Sequence, residues 1–192
     1  MNNKYERVML QDPIELATFV NLVKRENIRS YLEIGSKFGG SLWKIANVLP
    51  KGSRVVSVDL PHGDTSFKEN LPHLEECVRV LRKAKGYDAH LFVGDSTDPE
   101  IIEKVRALSP FDLCLIDANH TEPFVRMDWA NYGPMCKVVA FHDIGWRIED
   151  RSTKKMPIDV PKVWDEIKQN FRHQEIKLCH TKRDNGIGVL WR

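Results

Sequence analysis

Two short stretches of this sequence place an aspartate and a histidine at the end of an apolar run. In CLIDANH, Asp117 is followed three residues later by His120; in VVAFHD, His142 stands next to Asp143. A neutral imidazole, with an ordinary pKa near ~6.5, can take a proton from a hydroxyl at working pH. Two carboxylates brought together from adjacent strands can hold a divalent cation that acidifies such a hydroxyl. Asp117, His120 and Asp143 are therefore the candidate catalytic residues, and Asp117, His142 and Asp143 the candidate metal ligands. A histidine ligand suits manganese, iron or zinc better than magnesium, which prefers an all-oxygen shell. The alternative is that His142 turns away and Asp143 orients His120 with no metal. A lone histidine at a strand end is more often a structural hydrogen-bonder. Two such pairs side by side carry more weight.

The pairs need a scaffold that brings two strand ends together, and the rest of the chain supplies one. Asp12-Pro13-Ile14-Glu15 announces a helix to about Arg25, with an N-cap, Pro at the first position and Glu at the third. SYLEIG, RVVSVDL, AHLFVGD, FDLCLID and KVVAF read as strands in that order. Helical patterns separate them. Leu42, Ile45, Ala46 and Leu49 form one, stopped by Pro50; Leu74, Cys77, Val78 and Leu81 form another, ending at Gly86. Asp98-Pro99 caps a helix carrying Ile101, Ile102, Val105 and Leu108, and a short helix spans about Glu122 to Trp129. In the tail, Val163, Trp164, Ile167 and Phe171 make a helix face, and EIKLCH and IGVLW make two strands around an Asp-Asn-Gly turn. Strands alternating with helices predict a mostly parallel sheet covered on both faces, with an antiparallel closing pair. Ligands bind such sheets beyond the carboxyl ends of the strands. The Asp and His residues fall there.

The other loops on that edge suit a nucleotide. EIGSKFGG, from Glu33 to Gly40, joins the first strand to its helix. Gly35 can take positive φ and let backbone approach a ligand, and Gly39 and Gly40 open a helix whose free N–H groups attract an anion. The spacing is not G-x-G-x-x-G, so the dinucleotide fingerprint is absent. Asp59 ends the second strand, where an acid can accept both ribose hydroxyls. Gly94-Asp95-Ser96 ends the third, where Asp95 can accept from an adenine amino group with Ser96 nearby.

Taken together, E-x-G-x-x-x-G-G, VVSVDL, VGDS, LIDANH and VVAFHD resemble a class I S-adenosylmethionine-dependent methyltransferase, over nearly the whole chain. Within that superfamily the chain is similar to the group of sugar O-methyltransferases and cephalosporin-hydroxylase-like proteins that act on small molecules. The resemblance implies a Rossmann-like three-layer α/β sandwich with a seven-stranded sheet in the order 3-2-1-4-5-7-6, strand seven antiparallel. It implies a cofactor site that includes Glu33, Gly35, Ser36, Gly39, Gly40 and Ser41, with Glu33, Gly35 and Ser41 around the methionine part. Asp59 and Leu60 would lie at the ribose, Asp95 and Ser96 at the adenine, and Asp117 beside the methyl. Ser36 stands where the commoner form has a second glycine. In metal-dependent members an Asp after strand four and two acids after strand five bind magnesium, and a His three residues after the first Asp is the base. Asp117, His120 and Asp143 match; His142 departs, standing where an acid is usual. The absence of Asn-Pro-Pro-Tyr or Asp-Pro-Pro-Tyr after strand four disfavours an amino-group or nucleobase target.

Composition narrows the partners. A net charge of +2, with Lys and Arg interleaved among Asp and Glu, gives no reason to favour nucleic acid or a membrane surface. The 192 residues suit a single domain, and no apolar run approaches the roughly 18 residues that span a bilayer. The start lacks a signal-peptide apolar region, so a cytoplasmic location is the expectation. Cys77, Cys114, Cys136 and Cys179 show no C-x-x-C pair, and buried thiols are expected. Trp43 is read as helix core or a dimer contact, and a homo-oligomer stays open. Trp146 and Arg147 are read as a surface anchor before pocket lining. The expected activity is S-adenosylmethionine-dependent O-methylation of a sugar or other small-molecule hydroxyl, with or without the help of a divalent cation. Its rivals are a hydroxylase-like component, a non-enzymatic module that binds the adenosyl ligand, and, less well supported, an NAD-dependent enzyme.

Overall fold

Aspartate and proline start the first helix where the sequence places them. The Asp12 carboxylate accepts the backbone N–H groups of Ile14 (2.7 Å) and Glu15 (3.3 Å), and Pro13, which has no N–H to leave unpaired, opens the first turn. Asp98 and Pro99 repeat the device, with Asp98 accepting Glu100 N–H at 2.8 Å. The computed structural model describes residues 11–60, 70–146, 157–178 and 185–192. Arg147 and Cys179 lie outside these, as does most of the two long polar loops, Pro61 to Asn70 and Trp146 to Asp159.

The strands are β1 (Ser30–Ile34), β2 (Arg54–Asp59), β3 (Asp88–Val93), β4 (Phe111–Ile116), β5 (Cys136–His142), β6 (Arg172–Ile176) and β7 (Ile187–Trp191). The helices are α1 (Pro13–Arg25), α2 (Gly40–Ala46), α3 (Asn70–Lys85), α4 (Pro99–Arg106), α5 (Glu122–Tyr132) and α6 (Val160–Ile167). The sheet has seven strands in the order β3-β2-β1-β4-β5-β7-β6. β7 runs antiparallel to both neighbours, and the other pairs are parallel. This is the topology that the resemblance implies.

Both sheet faces are covered, which is why β1, β2, β4 and β5 read as continuous apolar runs rather than alternating ones. On one face Leu16 and Phe19 of α1, Leu42 and Ile45 of α2 and Leu74 and Leu81 of α3 pack together. On the other, Ile101 and Val105 of α4, Val125 and Tyr132 of α5 and Val163 and Trp164 of α6 do the same. Cys77, Cys114 and Cys136 are buried free thiols, as expected. Trp43 is core, 9% exposed, with the Lys85 ammonium 5.6 Å from its ring.

The tail departs from the sequence expectation. α6 ends at Ile167, a 3-10 turn covers Lys168–Asn170, and the next strand begins at Arg172, ahead of the EIKLCH run. β6 is an edge strand whose first residues, Arg172, His173 and Gln174, are exposed. It therefore carries no apolar pattern, and its place is set by pairing along β7, from Arg172↔Trp191 to Ile176↔Ile187.

Because β1 is flanked by β2 and β4, its carboxyl end lies where successive crossovers part to opposite sides. Backbone hydrogen bonds lace the strand ends there. Asp117 N–H donates to Ile34 C=O (2.8 Å), Gly35 N–H to Val58 C=O (2.9 Å) and Gly94 N–H to Asp59 C=O (2.9 Å). The sequence's candidate residues therefore converge on one continuous edge.

Candidate active site

The loop after β1 is shaped by what it must pass. Gly35 has φ +88°, and a methyl group there would sit 2.3 Å from the Asp117 carbonyl oxygen. Only glycine lets this loop press against the tip of β4. Lys37 then takes φ +50° without being glycine, and its N–H donates to Asp59 Oδ2. Ser36, nearly buried, shares a 2.7 Å hydrogen bond with Ser57. Gly39, at φ +82°, is the N-cap of α2, and Gly40 and Ser41 are buried in its first turn.

Glu33 lies beneath this loop with no exposed surface. Ser41 donates to its Oε1 at 2.7 Å, and Tyr31 donates to its Oε2. Burial raises its carboxyl to about pKa 7, against the pull of those two donors. Its place is under the loop, holding Ser41 in register. Asp59, 9% exposed, is also raised by burial, opposed by the backbone N–H groups of Lys37 and Ser36. Leu60 beside it is 43% exposed, an uncovered apolar side chain at the β2 tip. Asp95 folds its carboxylate back onto Thr97, accepting from its N–H and hydroxyl at 2.8 Å each. The carbonyl of Ser96 accepts from Tyr132 OH at 2.6 Å. Asp128, fully buried near Ser96 and Asp95, is pushed up to about 7 by burial.

The second half of the edge is made of charge. His120 Nε2 lies 3.3 Å from Asp117 Oδ1 and 3.5 Å from Asp143 Oδ2. Asp117, His120 and Asp143 each offer one ligand atom, and these atoms all lie within 4.8 Å of one another. His142 does not turn away. Its Nδ1 is 3.1 Å from Asp117 Oδ1 and 3.2 Å from Asp143 Oδ1, with only 6% of the side chain exposed. Burial opposes charge on His142, but Asp117 and Asp143 outweigh it and raise the pKa to about 9. The same contest raises His120 and, from the other side, holds Asp117 well below the usual carboxylate range despite its burial. Asp143 has φ +63°, a left-handed conformation that strains a side-chain-bearing residue.

The first helix reaches this site too, which the sequence did not announce. Gln11 Nε2 donates to Asp117 Oδ2 at 3.0 Å, and the buried Glu15 accepts Gly186 N–H at 3.0 Å. Glu15 also adds to the field that raises His142. Nothing in local pattern marks Gln11, since its role follows from where α1 docks. Tyr31 was findable: it sits two residues before Glu33 in one strand, hence on the same face. Trp146 is half-buried and packs against the second core cluster.

Comparison with known proteins places this geometry. A family model described as "Methyltransferase domain" matches residues 32–144, which include every candidate residue of the strand ends. No curated protein sequence matches the chain. Among solved structures, an O-methyltransferase from Bacillus cereus in complex with SAH superposes with a TM-score of 0.70 at 17% identity, covering 95% of this chain and 82% of that one. The O-methyltransferase TomG from Streptomyces achromogenes, involved in tomaymycin synthesis and bound to SAM, gives 0.68 at 18% identity, covering 98% and 86%. Likeness at this identity establishes the shared fold. The family match, spanning the loop after β1 and the tips of β4 and β5, establishes that the chain belongs to the methyltransferase-domain family.

Proposed function

We propose that this chain transfers a methyl group from S-adenosylmethionine to a hydroxyl of a small molecule, with a divalent cation held by Asp117, His120 and Asp143. One observation carries the reading. These three side chains, from the ends of two adjacent strands, meet within 4.8 Å, and the loop turned by Gly35 lies against the Asp117 backbone. The two solved relatives are both named O-methyltransferases, one with SAH and one with SAM. That supports the same cofactor and the same acceptor atom here.

The donor set fits a cation. Two carboxylates and one imidazole nitrogen converge. Asp143 Oδ1 and His142 Nε2, both buried, make no hydrogen bond among the described residues. A nitrogen among oxygens favours manganese, iron or zinc over magnesium. When bound, S-adenosylmethionine supplies an electrophilic sulfonium methyl and the cation lowers the pKa of the acceptor hydroxyl. The chain's own residues supply position. Glu33, Ser36, Ser41 and the glycines Gly35, Gly39 and Gly40 shape the cradle for the methionine part. Asp59 takes the ribose hydroxyls with Leu60 beside it, and Asp95 and Ser96 border the adenine. Aligning nucleophile and methyl in line is the larger part of such catalysis, because the leaving group is already good.

A second reading is favoured by the raised pKa of His142. An imidazolium there places positive charge between Asp117 and Asp143 without a metal. In that case His120 takes the hydroxyl proton, and the two carboxylates orient it. Calorimetric titration of S-adenosylmethionine into the EDTA-treated protein, with and without manganese or magnesium, decides between them. Micromolar binding with a manganese-dependent heat that Asp143→Ala abolishes supports the first reading. Binding and turnover to S-adenosylhomocysteine unaffected by EDTA support the second. No binding under any condition refutes both.

A further inference from the structure

Asp159 begins α6 but spends its carboxylate elsewhere. As N-cap of α6 its carbonyl accepts from Lys162 N–H (3.1 Å) and Val163 N–H (3.2 Å), yet its side chain caps nothing in its own helix. An N-cap aspartate ordinarily accepts from the second or third N–H of the helix it starts. Here Oδ2 reaches across to accept the N–H of Glu122, the first residue of α5, at 3.2 Å. The N–H of Asp159 itself donates to the carbonyl of His120 at 2.8 Å. One residue thus grips the chain on both sides of Thr121.

The grip replaces a cap that α5 does not make for itself. Thr121 is the N-cap of α5 and has no side-chain capping bond. Its hydroxyl and N–H are both bound to Asn119 Oδ1, at 2.9 and 3.0 Å. Pro123 has no N–H. The free donor at the head of α5 is that of Glu122, and the carboxylate that meets it also brings negative charge to the helix's positive end. Around this joint, Lys162 Nζ pairs with Glu122 Oε2 at 2.6 Å and Arg126 bridges Glu122 and Glu166, so α5 and α6 are held together beyond it.

We propose that Asp159 is a positioning residue for His120: it fixes the backbone on either side of Thr121 and thereby the reach of the imidazole to Asp117 and Asp143. The inference rests on the reading of His120 as a working residue, but the contact it assigns can be tested apart from that reading. Positioning groups behind a ligand or base matter because a ring held loosely spends less time in the working geometry.

The test uses the full chain labelled with 15N-histidine, observed by imidazole correlation NMR, with Mn2+ and S-adenosylhomocysteine titrations beside it. Asp159→Ala removes the acceptor. Glu122→Pro removes the donor from the other side, at a helix position that proline suits. Both are expected to shift the His120 ring signals while those of His90 and His173 stay in place. Both are expected to weaken Mn2+ binding roughly 10-fold and leave S-adenosylhomocysteine affinity unchanged. Asp159→Asn, which keeps an acceptor oxygen, restores the His120 signals. Glu122→Ala, which loses the ion pairs but keeps the N–H, leaves them where they are. Should Asp159→Ala fail to fold, Glu122→Pro carries the test. His120 signals unmoved in the folded variants overturn the proposal. If His120→Ala leaves Mn2+ affinity intact, the cation reading falls, and the ring signals still decide whether Asp159 positions His120.

Discussion

From β3 to β1 the carboxyl edge of the sheet is shaped by backbone; from β4 to β5 it is shaped by charge. In the first half, a positive-φ glycine, a loop N–H donated to Asp59 and two uncharged hydrogen bonds to Glu33 set the contour. In the second, two carboxylates and two histidines face one another at 3.1 to 3.5 Å. The division suits the chemistry. A bound nucleotide is recognised by shape and by hydrogen bonds, while an acceptor hydroxyl must be made more anionic. The two halves should therefore fail differently when disturbed.

The largest effect belongs to the backbone half. Gly35→Ala puts a methyl 2.3 Å from Asp117 O and 2.6 Å from Ala118 Cα, with φ at +88°. We expect the fold to lose at least about 3 kcal/mol in urea titration, with cofactor binding abolished. Gly52 is the internal control. It has φ +80° with nothing within 4 Å, so Gly52→Ala isolates the conformational part and should lose only about 1 kcal/mol. Equal losses at the two positions would show that the close approach of loop and β4 tip is not what Gly35 is for.

In the charged half, activity should fall further than stability. His120→Gln keeps a polar side chain of similar reach and removes the imidazole that either proposed reading needs, as ligand in the first and as base in the second. Turnover of S-adenosylmethionine with a responsive hydroxyl acceptor should drop about 100-fold. Cofactor affinity should hold within about twofold, because the proposed cofactor cradle lies in the other half of the edge. An equal loss in cofactor affinity would erase the distinction between the halves.

How each half was readable follows from the same difference. Gly35, Asp59 and Gly94 are legible because a strand-to-helix turn and a strand-end acid need particular residue types at particular places. The Asp117/His120 and His142/Asp143 pairs are legible as chemistry, but not as geometry. Local sequence cannot say whether His142 turns away, since that depends on how β5 pairs with β7 and on Glu15 arriving from α1. Gln11 and Asp159 were not legible at all. Each acts through a contact made across the fold, at separations of 106 residues to Asp117 and 37 residues to Glu122. β6 begins ahead of its apolar residues because an edge strand carries no apolar pattern.

Asp143 joins the two kinds of construction, being a charged residue in a glycine's conformation. Asp143→Ala and Asp143→Gly both remove the carboxylate from His142 and His120, so both should lose manganese binding. They differ in backbone alone. At φ +63° glycine is unstrained and alanine is not, so Asp143→Gly should be the more stable by about 1 kcal/mol in parallel urea titrations. Indistinguishable stabilities would mean that the β5 tip relaxes freely and stores no strain for the site.

The measurement that separates the halves most directly is the pH profile of the melting temperature. Glu33 is raised from 4.5 to about 7, so the folded chain holds its proton more tightly than the unfolded chain does. Stability from this group is full below pH 4.5 and declines as pH rises through 7. His142 is raised from 6.5 to about 9, so its contribution is full below pH 6.5 and is lost as pH rises through 9. Asp117 runs the other way. Its pKa is depressed, so its contribution is present at neutral pH and fades only as pH falls below the usual carboxylate range. Asp117 and His142 are one pair, counted once, and the charged half should be flat from weak acid to neutrality. The backbone half should slope there. Glu33→Gln should therefore reduce the slope between pH 4.5 and 7, by roughly 5 °C across the window, leaving the part due to Asp128, which burial also raises to about 7. His142→Gln should leave the profile below pH 6.5 alone and reduce the slope from pH 6.5 to 9. If Glu33→Gln instead changes the alkaline limb, the two halves titrate as one network, and the division of labour along the sheet edge is wrong.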